Sequence, residues 1–393
     1  MQEKQQNRRQ ASGIRLQGMR KAFRSSQAPS PQSPAPARRA FTLTELLIVI
    51  AIIAVLAGLI AAAAVNAMRS ANRSRITLEI KNLSGSIEDF KTQFGAYPPN
   101  GMNPTTGGPP ATGTPAAIVM NDFRNMFKKA FPRSNEHQDL IDAIAGITPS
   151  GTTNVQKTLP NGLSAAEALY FWLGGFSDDP QYPLTGEGGP SFVDTNTAGD
   201  EVFESRKFRY EFDVERLSPR DDNGQFTGNR FIEYRDPRNN NIRRQINFWQ
   251  YRPKGSEQPL VYFDVSRRKP HQHDVWAVNP TGGAPYIFAM KQLRSGTVGP
   301  VNSEPKYISD VVYVDQGRFQ ILHAGLDDAW GEEFARVSPS ITAHPNLHGY
   351  GIAAFGNTVG EELFLYPDGP FIGEVADTLT SFTDGTLEDS VEE

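Results

Sequence analysis

Glu45 stands immediately before an uncharged run, Leu46 to Met68, and directly after Arg38-Arg39-Ala40-Phe41-Thr42-Leu43-Thr44. A helix rises ~1.5 Å per residue and the hydrocarbon core of a bilayer is ~30 Å thick, so the 23 residues of the run are enough to cross it. A carboxylate at the membrane edge is costly on a helix that must enter and leave the bilayer, and it calls for a cationic partner. A free amine is the simplest such partner. Farther along, Asp327-Asp328 offers oxygens of the kind that hard divalent cations take. Asp221-Asp222-Asn223-Gly224 lacks the spacing and closing glutamate of an EF-hand and reads as a hairpin turn. His271-x-His273-Asp274 presents two imidazoles on a polar loop, a pattern more typical of a surface than of a metal site. The chain has no cysteine, which excludes thiolate zinc sites and cysteine catalysis. No glycine-rich phosphate loop follows a clean strand and no nucleophile elbow is present, so an enzyme is the weakest functional class.

The stretch from Arg38 to Met68 resembles the signal of type IV pilins and of the pseudopilins of type II secretion. The resemblance implies a basic leader cut by a prepilin peptidase after Ala40, methylation of the new amino terminus at Phe41, and assembly through Glu45, which pairs with the N-terminal amine of a neighbouring subunit. It further implies self-assembly with other pseudopilins on an inner-membrane platform. Two residues depart from the family. Ala40 replaces the usual glycine, which implies slower processing at most, and Ala62 stands where many pilins have a helix-bending proline. An ordinary signal anchor would leave Phe-Thr-Leu-x-Glu as a coincidence, and a cleaved secretory signal has a shorter apolar region, of ~7–15 residues. The segment Gly317 to Gly331 resembles the strand and acidic loop near the C-terminus of major pseudopilins, where such a loop binds calcium. Asp327 and Asp328 would then be ligands, and Asp377, Asp384, Glu388 and Asp389 read as a solvated tail or, alternatively, as further oxygen sources. An ordinary acidic turn is the other reading of the same residues.

The leader, residues 1–40, carries nine basic residues against Glu3 alone, a charge of +8. Basic flanks stay in the cytoplasm, and Arg69, Arg73 and Arg75 beyond the span are outnumbered. A single pass is expected, with the N-terminus cytoplasmic, the C-terminal domain periplasmic, and the mature subunit in a periplasmic filament. Residues 27–36, rich in Pro and Ser, read as an extended spacer. The net charge of −5, less the leader's +8, leaves −13 for residues 41–393, which argues against nucleic acid as the main ligand.

Ile76, Ile80, Leu83, Ile87, Phe90 and Phe94 recur at spacings of four and three, the stripe of a helix that lays one face on a folded domain. With the apolar run this gives one helix over 41–94, ~80 Å long. It must stop before Tyr97-Pro98-Pro99, because a residue preceding proline is driven out of helical geometry. Residues 97–119 read as a loop, and 122–130 as a short helix. Ser164 and Glu167 form a capping box before a helix that Gly174-Gly175 ends, with Tyr170-Phe171-Trp172 in the core. Strands are expected at 207–214, 230–234, 260–264, 285–289 and 318–322. The fold class is α+β. A pilin-like long helix packs on a mainly antiparallel outer domain, residues 95–393, whose size leaves room for insertions or a second lobe, divided near 195–200.

Overall fold

The computed structural model describes residues 41–100, 115–148, 154–159, 162–193, 206, 208–217, 230–239, 241–267, 276–278, 286–293, 306–307, 311–330, 354–355, 358–359, 366–367, 371 and 373–390. The leader, Asp221 to Gly224 and His271 to Asp274 lie outside them. The chain divides into two compact units, residues 1–61 and 62–393.

The helices are α1 (Leu43–Phe94), α2 (Pro115–Ala130), α3 (Gln138–Ile144) and α4 (Ala165–Leu173). The strands are β1 (Val155–Lys157), β2 (Ser191–Val193), β3 (Arg230–Asp236), β4 (Ile242–Phe248), β5 (Val261–Asp264), β6 (Trp276–Val278), β7 (Tyr286–Phe288), β8 (Lys291–Leu293), β9 (Lys306–Tyr307), β10 (Val311–Tyr313), β11 (Phe319–His323), β12 (Ala354–Phe355), β13 (Thr358–Val359) and β14 (Leu379–Thr380). This is the α+β class expected: a long N-terminal helix followed by antiparallel sheets, consistent with a pilin-like fold.

In the second unit α1 buries the stripe read from the sequence. Ile76, Ile80, Leu83, Ile87 and Phe90 are each at most 1% exposed. Burying such a side chain contributes ~1.5–3 kcal/mol. The helix stops because Gly95 takes φ +69°, a left-handed conformation that suits glycine, while its N–H closes onto the Lys91 carbonyl at 2.6 Å. The turn that follows is pinned from three elements. Trp172 Nε1 donates to the Pro99 carbonyl at 3.0 Å, Tyr262 Oη to that of Pro98 at 3.0 Å, and Asp264 N to Asn100 Oδ1 at 2.6 Å.

A three-stranded sheet, β14-β11-β5, lies at the centre of the second unit. Tyr262, Phe319 and Ile321 face the core that holds the α1 stripe, while Val261, Phe263 and Leu322 face a second core with Ile287, Tyr313 and Trp330. Coverage on both faces explains why every residue of β5 and β11 is buried. A four-stranded sheet runs in the order β1-β3-β4-β2. The lobe division expected near 195–200 would cut this sheet, since β1 and β2 precede that point and β3 and β4 follow it.

The capping box at Ser164 and Glu167 is present, and Tyr170, Phe171 and Trp172 are buried. Two expectations are corrected. Residues 208–213 form no strand, and Val214–Arg216 is a 3-10 turn. The aromatic alternation is real, with Phe212 buried, but Arg209 N and Tyr210 N donate to the Leu173 carbonyl at the end of α4 instead of to a neighbouring strand. The loop expected through 119 ends earlier, because α2 starts at Pro115. Proline suits a first helical position, where its missing N–H has no intrahelical partner.

Candidate functional site

Two segments carry the candidate chemistry, one in each unit. In the first, Phe41 is 77% exposed, and the side chains from Leu43 through Ile60 are bare. A window of α1 is apolar and long enough to cross a membrane, and none of it is buried.

Glu45 lies in the first turn of α1, and within its own chain its carboxylate already has donors. Oε2 accepts from Thr42 N at 2.9 Å and from Thr42 Oγ1 at 2.8 Å, while Glu45 N donates to Thr42 Oγ1 at 3.2 Å. This is a reciprocal capping box with Thr42 as N-cap, and the acid also meets the positive end of the helix dipole. Reading Glu45 only as a charge in search of an amine missed this role. The signal was available in the sequence, as a threonine three residues before a glutamate at the head of an apolar run. Phe41 is the residue just before this cap, so an amine created there would adjoin the group that orders the first turn.

The second segment is the turn after β11. Gly325 has φ +99°, and a Cβ there would sit 2.6 Å from the Asp377 carbonyl oxygen, so only glycine fits. Leu326 N donates to Asp377 Oδ2 at 2.5 Å, and Ala329 N to Asp327 Oδ1 at 3.0 Å. Asp328, at φ +57°, accepts from Ser256 Oγ, from Glu257 N at 3.1 Å and from Gln258 N at 3.3 Å. It clamps the turn to a segment some 70 residues earlier. Burial, with the nearby Asp377 charge adding to it, raises the pKa of Asp327.

Ser256 Oγ also lies 2.8 Å from Nε2 of His323, which is fully buried. A serine, a histidine and an aspartate in contact invite comparison with a hydrolase, but the wiring runs the other way. His323 Nδ1 accepts from Gly325 N at 3.1 Å, so the neutral ring carries its proton on Nε2 and donates it toward Ser256. Ser256 in turn donates to Asp328. An activated nucleophile needs the ring to accept the hydroxyl proton. Burial pushes the His323 pKa down to about 4.

The structure brings Asp327, Asp328 and Asp377 to one turn, and Arg73 bridges Asp377, at 3.2 Å, to Asp389. Asp384 pairs with Lys81 at 3.2 Å, and Asp389 pairs with Arg73 at 3.4 Å. Calcium takes six to eight oxygens. Among the described residues no three His, Asp or Glu side chains converge as a metal site requires, and Asp328 is engaged by donors that a cation would have to displace.

A family model described as the prokaryotic N-terminal methylation motif matches residues 36–61. It spans Ala40, Phe41 and Glu45, and is the type of signal carried by type IV pilins and pseudopilins. No curated protein and no solved structure matches the chain.

Proposed function

We propose that the chain is a pseudopilin, a structural subunit of a type II secretion-like periplasmic filament. Prepilin peptidase cuts it between Ala40 and Phe41 and methylates Phe41; the mature subunit sits in the inner membrane with residues 95–393 in the periplasm. From there it joins other pseudopilins on the assembly platform. Its work is mechanical, with no catalytic step. The observation that carries this reading is the methylation motif at 36–61 set on a helix whose membrane-length apolar surface is bare. In a chain that stays single in a bilayer, Glu45 serves only as the partner of the Thr42 cap. A chain that leaves the bilayer for a fibre gains from an acid that finds the methylated amine of its neighbour. The 353 residues of the mature chain favour a second position, at the filament tip, where a large outer domain has no subunit above it.

Variants at the cap separate pairing from helix capping. Glu45→Gln keeps an oxygen that can accept from Thr42 but removes the charge, while Thr42→Val removes the cap hydroxyl and keeps the charge. The proposal expects Glu45→Gln to abolish filaments in sheared fractions with cleavage intact, and Thr42→Val to retain most of them. Wild-type filament yield from Glu45→Gln, with losses confined to Glu45→Ala and Thr42→Val, would make Glu45 a helix cap and refute amine pairing.

A further inference from the structure

The apolar run of α1 ends bare, with Val65 50% and Met68 67% exposed. Arg69, Arg73 and Arg75 follow at once, and α1 holds no acid between Glu45 and Glu79. The folded domain accounts for one of the three. Arg73 reaches Asp377 at 3.2 Å and Asp389 at 3.4 Å, while Glu79 is committed to Arg216 at 2.7 Å. Arg75 bonds only to Asn72 Oδ1 of its own turn, at 3.3 Å, and Arg69 has no hydrogen-bond or ion-pair partner among the described residues. Both are exposed. Farther along the helix the cations are matched, Lys81 by Asp384 at 3.2 Å and Lys91 by Tyr97 at 2.9 Å. The unmatched positive charge of α1 is therefore confined to the roughly two turns after Met68.

Those two turns coincide with the polar layer of a bilayer. The hydrocarbon core is ~30 Å thick and the whole membrane ~40–45 Å, which leaves ~5–8 Å of headgroups on each side. With Met68 at the hydrocarbon edge, Arg69 starts ~1.5 Å and Arg75 ~10 Å past it along the helix. Helical side chains slant toward the N-terminus, here toward the apolar run, and long basic ones snorkel to place their charge among headgroups. Both guanidiniums reach that layer.

We infer that Arg69 and Arg75 dock on the phosphates of net-anionic phospholipids in the leaflet from which α1 emerges. A guanidinium fork meets a phosphate with two parallel hydrogen bonds, which suits arginine better than lysine. A zwitterionic lipid carries a cation of its own beside that phosphate, whereas an anionic one leaves its charge for the two arginines to balance. Arg73, held by Asp377 and Asp389, marks the level at which the protein instead of the lipid supplies the anion. The contact thus fixes how deep α1 sits. The inference rests on the membrane reading of α1 and adds to it the class of lipid.

The full chain is inserted into vesicles of equal parts phosphatidylglycerol and phosphatidylcholine, extracted in mild detergent, and its retained lipids are counted by mass spectrometry. Wild type is expected to retain phosphatidylglycerol over phosphatidylcholine by at least about threefold. The double variant Arg69→Gln with Arg75→Gln should fall to parity, and Arg69→Lys with Arg75→Lys should keep most of the preference. Lys128→Gln with Lys254→Gln removes the same charge from exposed sites elsewhere and should keep all of it. Inorganic phosphate at about 10 mM should displace no lipid. Parity in the wild type, an undiminished preference in the double glutamine variant at 69 and 75, or an equal loss in the Lys128 and Lys254 variant would overturn the inference. So would displacement by inorganic phosphate, which would make the arginines a site for a free anion. Each of these results leaves the membrane reading standing; a wild-type chain that fails to float with the vesicles would sink both.

Discussion

Lowering the pH from 7 toward 4 forces a choice on His323. Its imidazole is fully buried, accepts from Gly325 on one side and contacts Ser256 on the other, and its pKa falls to about 4 from an ordinary 6.5. The unfolded chain therefore takes up a proton near pH 6.5 that the folded chain refuses until pH 4. Between those values the unfolded state binds more protons, so stability falls as pH falls. The contribution is complete above pH 6.5, and its slope approaches ~1.4 kcal/mol per pH unit inside the window. By pH 4.5 the loss is roughly 2 kcal/mol, approaching ~3 kcal/mol below pH 4. Other acids titrate in the same range, so the informative quantity is a difference. His323→Gln removes this titration, and the stability gap between wild type and variant should narrow by ~2 kcal/mol from pH 7 to pH 4.5. Denaturant unfolding of the detergent-solubilised chain, followed by the buried Trp172 and Trp330, measures both proteins. A gap that stays constant over that range would refute the assignment of a neutral, destabilised imidazole at this site.

Two further outcomes follow from packing and from the acidic turn. Leu83 is fully buried in the α1 stripe, so Leu83→Ala should destabilise the protein by ~2–5 kcal/mol in the same assay while leaving processing at residue 40 unaffected. Asp328→Asn, which weakens a hub that holds Ser256, Glu257 and Gln258, should cost ~1–3 kcal/mol in calcium-free buffer. Calcium titration should leave the melting temperature of the wild type unchanged. A calcium-dependent rise, lost in Asp327→Asn and Asp328→Asn, would instead establish an ion site, by mass action on the folded state.

Legibility followed the range of the interactions. The α1 stripe, its stop before Tyr97, the capping box at Ser164 and the strands β3, β5, β7 and β11 were all readable, because each is set by residues within a few positions of one another. β4 was hidden by its composition, Ile-Arg-Arg-Gln-Ile-Asn-Phe. Its inward Arg244 is tolerated only because Asp236, in the paired strand, accepts from it at 3.1 Å. The segment 208–213 had a strand's alternation without a strand's partner. Thr42 and Glu45 show the converse, a local signature overlooked because the charge itself drew the attention. Asp328 could not be read at all, since its role depends on loop N–H groups some 70 residues away.

The central claim is that a chain cut before Phe41 becomes a filament subunit. Intact mass and terminal sequencing of this protein in the sheared filament fraction, from a host with active prepilin peptidase, test it most directly. The account predicts a chain that begins with N-methylated Phe41 and lacks residues 1–40. Absence of the chain from that fraction, a start at any other residue, or retention of residues 1–40 would contradict it.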